Sequence, residues 1–297
     1  MSLDVVGNYK LLQELGRGSF GITYLAYDSV RLRHVAIKTI NLEICNEYEL
    51  EDVIREIDGL IKLSKNKPEY MVNYYDSFNA NFNNFETKFI VSEYIEGISL
   101  LSFIRSNPGT LSPSYLWPIM TQLILGLKYI HDKGYAHRDI KPENILIKAD
   151  YKIKYIDFGC ICFKNKTIFN TIDTCDGIFG TQLYMPPEKY LKTSGPGLYY
   201  AQAHDIWSLT VVFYLLAQGP EQYPFIIKDE MGNDIKQKDF ENNIIHSPQT
   251  NFHYTYDIDS RTKNFMKKLL ITDPHERPTI NTILLIFTDE ILLQVWD

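Results

Sequence analysis

Up to about residue 95 the chain is dominated by short apolar runs rich in β-branched and aromatic residues. KLLQELG, ITYLAYD, HVAIKTI, MVNYYDSF and FETKFIVSEY each predict a strand. One stretch breaks that rhythm. In ELEDVIREIDGLIKL the apolar positions Val53, Ile54, Ile57, Leu60 and Ile61 recur three and four apart, which predicts one face of a helix. From about residue 98 the pattern turns helical: LWPIMTQLILGLKYIH repeats Leu116, Met120, Leu123, Leu127 and Ile130, and DIWSLTVVFYLLAQ and RTKNFMKKLLI follow. Pro118 falls inside the first of these, where proline costs about 3 kcal/mol, so that helix either kinks at Pro118 or begins there. Residues 219 to 259 are polar and weakly periodic and predict loops with short helices. With no repeat, linker or long charge block, the shift from strands to helices near residue 95 is the boundary the pattern supports.

Composition narrows the class. The 297 residues are 45% hydrophobic and 23% charged, ordinary for a globular chain that buries a core. A net charge of -7 argues against nucleic-acid binding by broad counterion release. No apolar run approaches the ~20 residues that span a bilayer, and ILLIFTDEILL is cut by Asp289 and Glu290. The start, MSLDVVGNYK, has no leader pattern, and Ser2 excludes the myristoylation pattern. The four cysteines, Cys45, Cys160, Cys162 and Cys175, are too few for a disulfide scaffold, and Cys160, Cys162 and Cys175 together fall short of a four-ligand zinc set. They predict buried or loop thiols in a reducing, intracellular, cytoplasmic setting, where the N-x-T at Asn165 is not glycosylated.

Three stretches suggest chemistry. In LGRGSFGIT, Gly16, Gly18 and Gly21 form a GxGxxG, which alone is most often a turn. Here it lies between two strand patterns, so it does not open a helix as a dinucleotide site would, and its backbone N–H groups can approach phosphate oxygens. Lys38 ends VAIK, partly desolvated by Val35, Ala36 and Ile37, and needs an anion: nucleotide phosphates or Glu56, with Glu51 less well placed. In YAHRDIKPENILI, Asp139 can accept a proton, Asn144 can offer an amide oxygen to a hard cation, and Lys141 can meet developing negative charge. The apolar flanks fasten that polar loop to the core. Asp157 of KYIDFGC, at a strand end, completes a pair of Mg²⁺ oxygen donors with Asn144.

With these residues the chain resembles the eukaryotic-type protein kinases, serine/threonine branch. LGRGSFGIT, VAIK, Glu56, SEYIEG, HRDIKPEN, DFG, GTQLYMPPE, DIWS and DPHERPT occur in family order across nearly the whole chain. The resemblance implies an α+β, bilobal protein-kinase fold, with a small antiparallel β-sheet lobe bearing one main helix and a larger, mainly helical lobe. It implies one kinase domain over 1–297, an N-lobe of 1–94, a C-lobe of 95–297, a hinge about 93–97 and an activation segment of 157–188. It also implies transfer of the γ-phosphate of ATP, with Mg²⁺, to Ser/Thr hydroxyls of protein substrates; neither a nucleic acid nor a membrane is an expected partner, and no regulatory partner is specified.

By the same resemblance Leu15, Thr23, Ala36 and Leu146 sandwich the adenine, and backbone groups of Glu93, Tyr94 and Ile95 bond its edge. Lys38 holds the α- and β-phosphates and pairs with Glu56; Asn144 and Asp157 hold the metal; Asp139, with Lys141, serves the substrate hydroxyl. Asp205 braces the catalytic loop, and Glu188 pairs with Arg277 as a structural tie. Ser92, where a bulky residue is common, opens a pocket behind the adenine. Thr23 for Val makes the adenine ceiling more polar; Pro186 and Thr210 are further departures that touch no phosphate. Arg138 is placed to receive a phosphate on the activation segment, for which Thr174 is a better candidate than Thr167 or Thr171, though Asp173 and Asp176 supply a standing charge that predicts weak control by phosphorylation. Thr181 belongs to the substrate platform. Glu143 is present, but Ser99 and Leu215 stand where Arg-directed kinases carry acids. A kinase-shaped scaffold that acts by protein binding is the alternative; its usual sign is loss of residues matching Lys38, Asp139 or Asp157, all of which are present. For a small-molecule kinase, GTQLYMPPE and DIWS would have little purpose.

Overall fold

The predicted strands pair in a register set by their alternating side chains. The computed structural model describes residues 4–18, 21–66, 68–109, 111–166, 171–173, 175, 179–191, 197–220, 222–225, 235–246 and 254–292. The chain divides into two compact units, Met1–Gly97 and Ile98–Asp297.

The first unit holds β1 (Val5–Val6), β2 (Tyr9–Gly18), β3 (Gly21–Asp28), β4 (Arg33–Asn41), helix α1 (Glu47–Ser64), β5 (Tyr74–Phe82) and β6 (Phe85–Glu93). The six strands form one antiparallel sheet in the order β1-β2-β3-β4-β6-β5. Tyr9, Leu11, Ala26, Val35, Ile37, Phe89 and Val91 form the core on one face. Phe78 stacks on both Tyr9 and Phe89, at 5.8 and 5.0 Å between ring centroids. Helix α1 starts at a capping box: the Asn46 side chain accepts from the Glu49 N–H at 3.0 Å, and Glu49 accepts from the Asn46 N–H at 2.9 Å, a cap of about 1 kcal/mol.

The buried face of α1 differs from the one its apolar periodicity predicts. Val53, Glu56, Leu60 and Leu63 point inward, whereas Ile54 and Ile61 are 67% and 47% exposed. The inward stripe keeps helical spacing but contains a carboxylate, because Glu56 has a cation to meet there.

The second unit begins with β7 (Ile98–Ser99), α2 (Leu100–Ser106), α3 (Pro113–Asp132), β8 (Tyr135–Ala136), β9 (Ile145–Ile147) and β10 (Ile153–Tyr155). It continues with β11 (Cys162–Lys166), β12 (Thr171–Asp173), α4 (Pro187–Tyr190), α5 (Leu198–Gln218), α6 (Gln237–His246), α7 (Ser260–Leu269) and α8 (Ile280–Leu292). Two small sheets, ordered β10-β9-β7 and β12-β11-β8, carry the polar loops. All five repeat positions of α3, Leu116 to Ile130, are buried. Trp117 packs on Phe265 of α7 and Phe287 of α8, with centroids 5.8 and 4.9 Å away, and α5 is buried along nearly every side from Ala203 onward.

One alternative is removed and one expectation is corrected. Helix α3 begins at Pro113, so Pro118 is not its first residue; the carbonyl deprived of a donor belongs to exposed Ser114, where water can solvate it. The expectation of buried or loop thiols holds for Cys160, but Cys162 and Cys175 are joined in a disulfide; Cys45 is also free. Of residues 219–259, the described part contains α6, while 221, 226–234 and 247–253 lie outside the described residues. No helix among the described residues is long and apolar enough to cross a membrane.

Candidate functional site

In the first unit the site residues are positioned by neighbouring strands. Lys38 on β4 lies opposite Thr23 on β3, and Ala36 lies opposite Ser92 on β6. The Lys38 ammonium donates to both oxygens of Glu56, at 2.8 and 2.9 Å, and the two side chains are 19% and 6% exposed. A carboxylate that deep requires an opposite charge, and the two-point contact aims the lysine. At the β2–β3 turn Gly18 faces Gly21 across the strands, and a Cβ at Gly21 would stand 1.8 Å from the Thr39 carbonyl oxygen, so no other residue fits. A Cβ at Gly16 or Gly18 would meet nothing within 4 Å, so packing within the protein does not demand glycine there. Ser19 and Phe20 between them lie outside the described residues.

Leu15 is 44% exposed, while Thr23, Ala36 and Ser92 are half-buried. The Ser92 hydroxyl donates to the Ala36 carbonyl at 3.4 Å. At the end of β6, the Glu93 N–H donates to the Asn73 carbonyl at 2.8 Å and the Asn73 amide donates to the Glu93 carboxylate at 2.6 Å. Tyr94 is half-buried with its ring edge-on to His34, and Ile95 is buried.

In the second unit the charged residues of YAHRDIKPENILI leave β8, turn, and re-enter at β9, whose Ile145 and Ile147 are buried while Leu146 is half-buried. The Asp139 carboxylate sits inside a closed set of donors. Asn144 Nδ2 donates to Asp139 Oδ2 at 2.9 Å, and Lys141 Nζ lies 2.8 Å from the same oxygen. The Thr181 hydroxyl donates to Asp139 Oδ1 at 2.8 Å and accepts from Lys141 Nζ at 2.7 Å. Three side chains thus fix the direction of one carboxylate. Asn144 Nδ2 also donates to the Asp139 carbonyl at 2.9 Å, which leaves its amide oxygen as the acceptor end. The Ile156 N–H donates to the Asn144 carbonyl at 3.1 Å, so Asp157, the next residue, lies alongside. One oxygen of Asp157 accepts from the Gly159 N–H at 3.1 Å.

Asp205 of α5 holds this loop from below. Its two oxygens accept the backbone N–H groups of His137 and Arg138 at 2.8 and 2.7 Å, and His131 Nε2 lies 2.9 Å away. Burial opposes the charge, yet the His131 hydrogen bond and the neighbouring imidazoles hold the carboxyl below its usual range. Those bonds keep Arg138 at a positive φ of 66°, a region costly for a side-chain-bearing residue. His137 is fully buried between Tyr155 and Phe158, and burial pushes its pKa down, so it stays neutral. Gly180, at φ 106°, runs so close to the Arg138 carbonyl that a Cβ would approach it to 2.5 Å. Farther away, Arg277 bonds both oxygens of Glu188 at 2.8 and 3.0 Å.

The structure therefore brings together Lys38, Glu56, Thr23, Ala36 and Ser92 in one unit, and Asp139, Lys141, Asn144 and Asp157 in the other. Thr181, read from the sequence as part of the substrate platform, is hydrogen-bonded directly to Asp139. His131 had no sequence signal beyond a polar residue at a helix end. Thr167 and Thr174, and with them Asp176, lie outside the described residues.

Residues 9–286 match the family model described as the protein kinase domain. Serine/threonine-protein kinase KIC1 of Saccharomyces cerevisiae is 34% identical over 221 residues, 74% of this chain and 19% of its own length. Serine/threonine-protein kinase Nek1 of Mus musculus is 32% identical over 279 residues, 93% of this chain and 21% of its own. Serine/threonine-protein kinase ppk11 of Schizosaccharomyces pombe is 34% identical over 215 residues, 72% of this chain and 63% of its own. The chain thus spans about a fifth of the first two relatives and under two thirds of the third.

Proposed function

The chain belongs to the protein kinase family, whose members use ATP and a divalent metal ion, and from that premise we propose that it transfers the γ-phosphate of ATP to Ser/Thr hydroxyls of proteins. The observation that carries this reading is the Asp139–Thr181–Lys141–Asn144 cluster, which presents one carboxylate in a single direction. In the transfer a substrate hydroxyl oxygen bonds to the γ-phosphorus while the bond to the β-phosphate oxygen breaks, releasing ADP and one proton. Asp139 orients the hydroxyl and receives that proton, and Lys141 faces the charge that develops. Lys38, aimed by Glu56, takes the α- and β-phosphates, with the N–H groups about Gly16, Gly18 and Gly21 above them.

The donors fit Mg²⁺. Asn144 uses its Nδ2 on Asp139, which leaves its amide oxygen as a hard donor, and Asp157 is a second; two protein ligands suit an ion that keeps phosphate oxygens and water in its remaining positions. Bound Mg²⁺ would neutralise phosphate charge. In the first unit Leu15, Thr23 and Ala36 supply apolar contact for adenine, and backbone groups of Glu93 to Ile95 its hydrogen bonds. The Glu93 N–H is already taken by Asn73, so the adenine edge is left to other backbone groups of that stretch. Leu215 is fully buried and Ser99 caps α2, so neither offers a charge to an arginine-bearing substrate.

The test is transfer of labelled γ-phosphate from Mg·ATP to casein, histone and myelin basic protein, beside Asp139→Asn. Label on Ser/Thr that disappears in the variant is expected. An unphosphorylated mixture, with no Mg²⁺-dependent nucleotide binding, would leave the scaffold reading instead.

A further inference from the structure

The β11–β12 hairpin lies within residues 157–188, and its register pairs Lys164 with Asp173, Asn165 with Ile172 and Lys166 with Thr171. Continued by two residues, that register sets Cys162 opposite Cys175, and their Cα atoms stand 5.0 Å apart, within the span a disulfide bridges. Both are buried, in a pocket made small by Ala136 and Ala201 with Leu198 alongside. Among the described residues β12 pairs with β11, and β11 pairs with β8 through Cys162 opposite Ala136 and Phe163 opposite Tyr135.

We propose that Cys162 and Cys175 form a reversible redox site, whose oxidation clamps the base of this hairpin and fixes the segment after Asp157 against the loop that carries Asp139. The link to that loop is short. Cys162 sits beside Ala136; the Arg138 Nε–H donates to the Cys160 carbonyl at 2.7 Å, and the Arg138 guanidinium lies 3.9 Å from the Phe179 ring. Oxidation therefore anchors the same stretch that bears Thr167, Thr171 and Thr174, by a covalent bond and without a phosphate.

The oxidant is a hydroperoxide. One thiolate attacks the peroxide, breaking its O–O bond to give a sulfenic acid and water or an alcohol; the second thiol then displaces water and forms the S–S bond. A dithiol reverses the reaction by exchange. Cys175 is 5% exposed against 0% for Cys162, so it is the residue nearer to solvent. Cys162 and Cys175 are the pair that the register joins, and Cys45 and Cys160 are free.

The experiment compares the full chain after dithiothreitol, after hydrogen peroxide, and as Cys175→Ala, each quenched with iodoacetamide. Peptide mapping of the peroxide sample should yield a Cys162–Cys175 linked pair, with Cys45 and Cys160 unlinked. Trypsin cleavage after Lys164 and Lys166 should be roughly tenfold faster in the reduced chain and in the variant, within what closing a loop of about 15 residues supplies. Phosphoryl transfer should fall on reduction, an arm that rests on the kinase reading. Linkage through Cys45 or Cys160, or equal cleavage in reduced and oxidised chains, overturns the proposal. Protection by the linkage without phosphoryl transfer in either state upholds the redox site and removes the kinase reading alone. The wild-type comparison stands even where the variant fails to fold.

Discussion

Arg277 uses every N–H of its guanidinium. Besides its two bonds to Glu188, it donates to the carbonyls of Ala203, Ile271 and Thr272 at 2.8, 2.9 and 3.2 Å. It is 4% exposed and Glu188 is 2% exposed. Arg277→Ala leaves a buried carboxylate without its cation and three carbonyls without their donor; breaking such a pair costs about 3–5 kcal/mol. We expect about 4 kcal/mol for Arg277→Ala and a similar loss for Glu188→Ala, which strands the guanidinium. The double variant should be less damaging than the sum of the two by about 2 kcal/mol, since the second substitution removes a charge already left unpaired. Urea unfolding followed by tryptophan fluorescence reads this directly. Trp117, Trp207 and Trp296 all fall within residues 98–297, and the Trp207 ring is 5.3 Å from the Arg277 guanidinium. Phosphoryl transfer per folded molecule should change little, since the pair touches none of the proposed reacting groups. Single losses under about 1 kcal/mol, or additivity within about 0.5 kcal/mol, would refute the reasoning.

The remaining predictions concern protonation, orientation and pocket shape. Burial pushes the His204 pKa from 6.5 to about 3, so below pH 6.5 the unfolded chain takes up a proton that the native chain refuses; stability is full above that pH and lost on acidification, by about 2 kcal/mol at pH 5. His204→Gln should flatten the change in urea midpoint between pH 7.5 and 5, and an unchanged slope would count against it. Thr181→Val removes the hydroxyl shared by Asp139 and Lys141 and should lower kcat roughly 10- to 100-fold with KM for ATP nearly unchanged, while Thr181→Ser retains most activity; full activity in the valine variant would show that the contact does not orient Asp139. Ser92→Phe should weaken binding of adenine analogues bearing large ring substituents, measured by competition against ATP, and equal affinity would mean that no pocket opens behind Ser92.

Much of this protein is legible in its residue order, because runs such as HVAIKTI and LWPIMTQLILGLKYIH carry strand and helix periods that local geometry must satisfy. The phosphate-handling residues are legible as well: Lys38, Asp139, Asn144 and Asp157 each stand at the end of, or between, apolar runs that cannot bury a charge without a purpose. Polarity along a line, however, does not say which partner a side chain meets. Ile54 and Ile61 fit the apolar stripe of α1 yet face outward, because Glu56 turns the helix toward Lys38. Thr181 gains its contact with Asp139 only when residues 42 positions apart converge. Cys162 and Cys175 are thiols like any others until the β11–β12 register places them side by side. Residue order is enough for the elements and the chemical groups; tertiary packing sets which groups touch, since contacts between distant residues depend on register and helix rotation, which no local period contains.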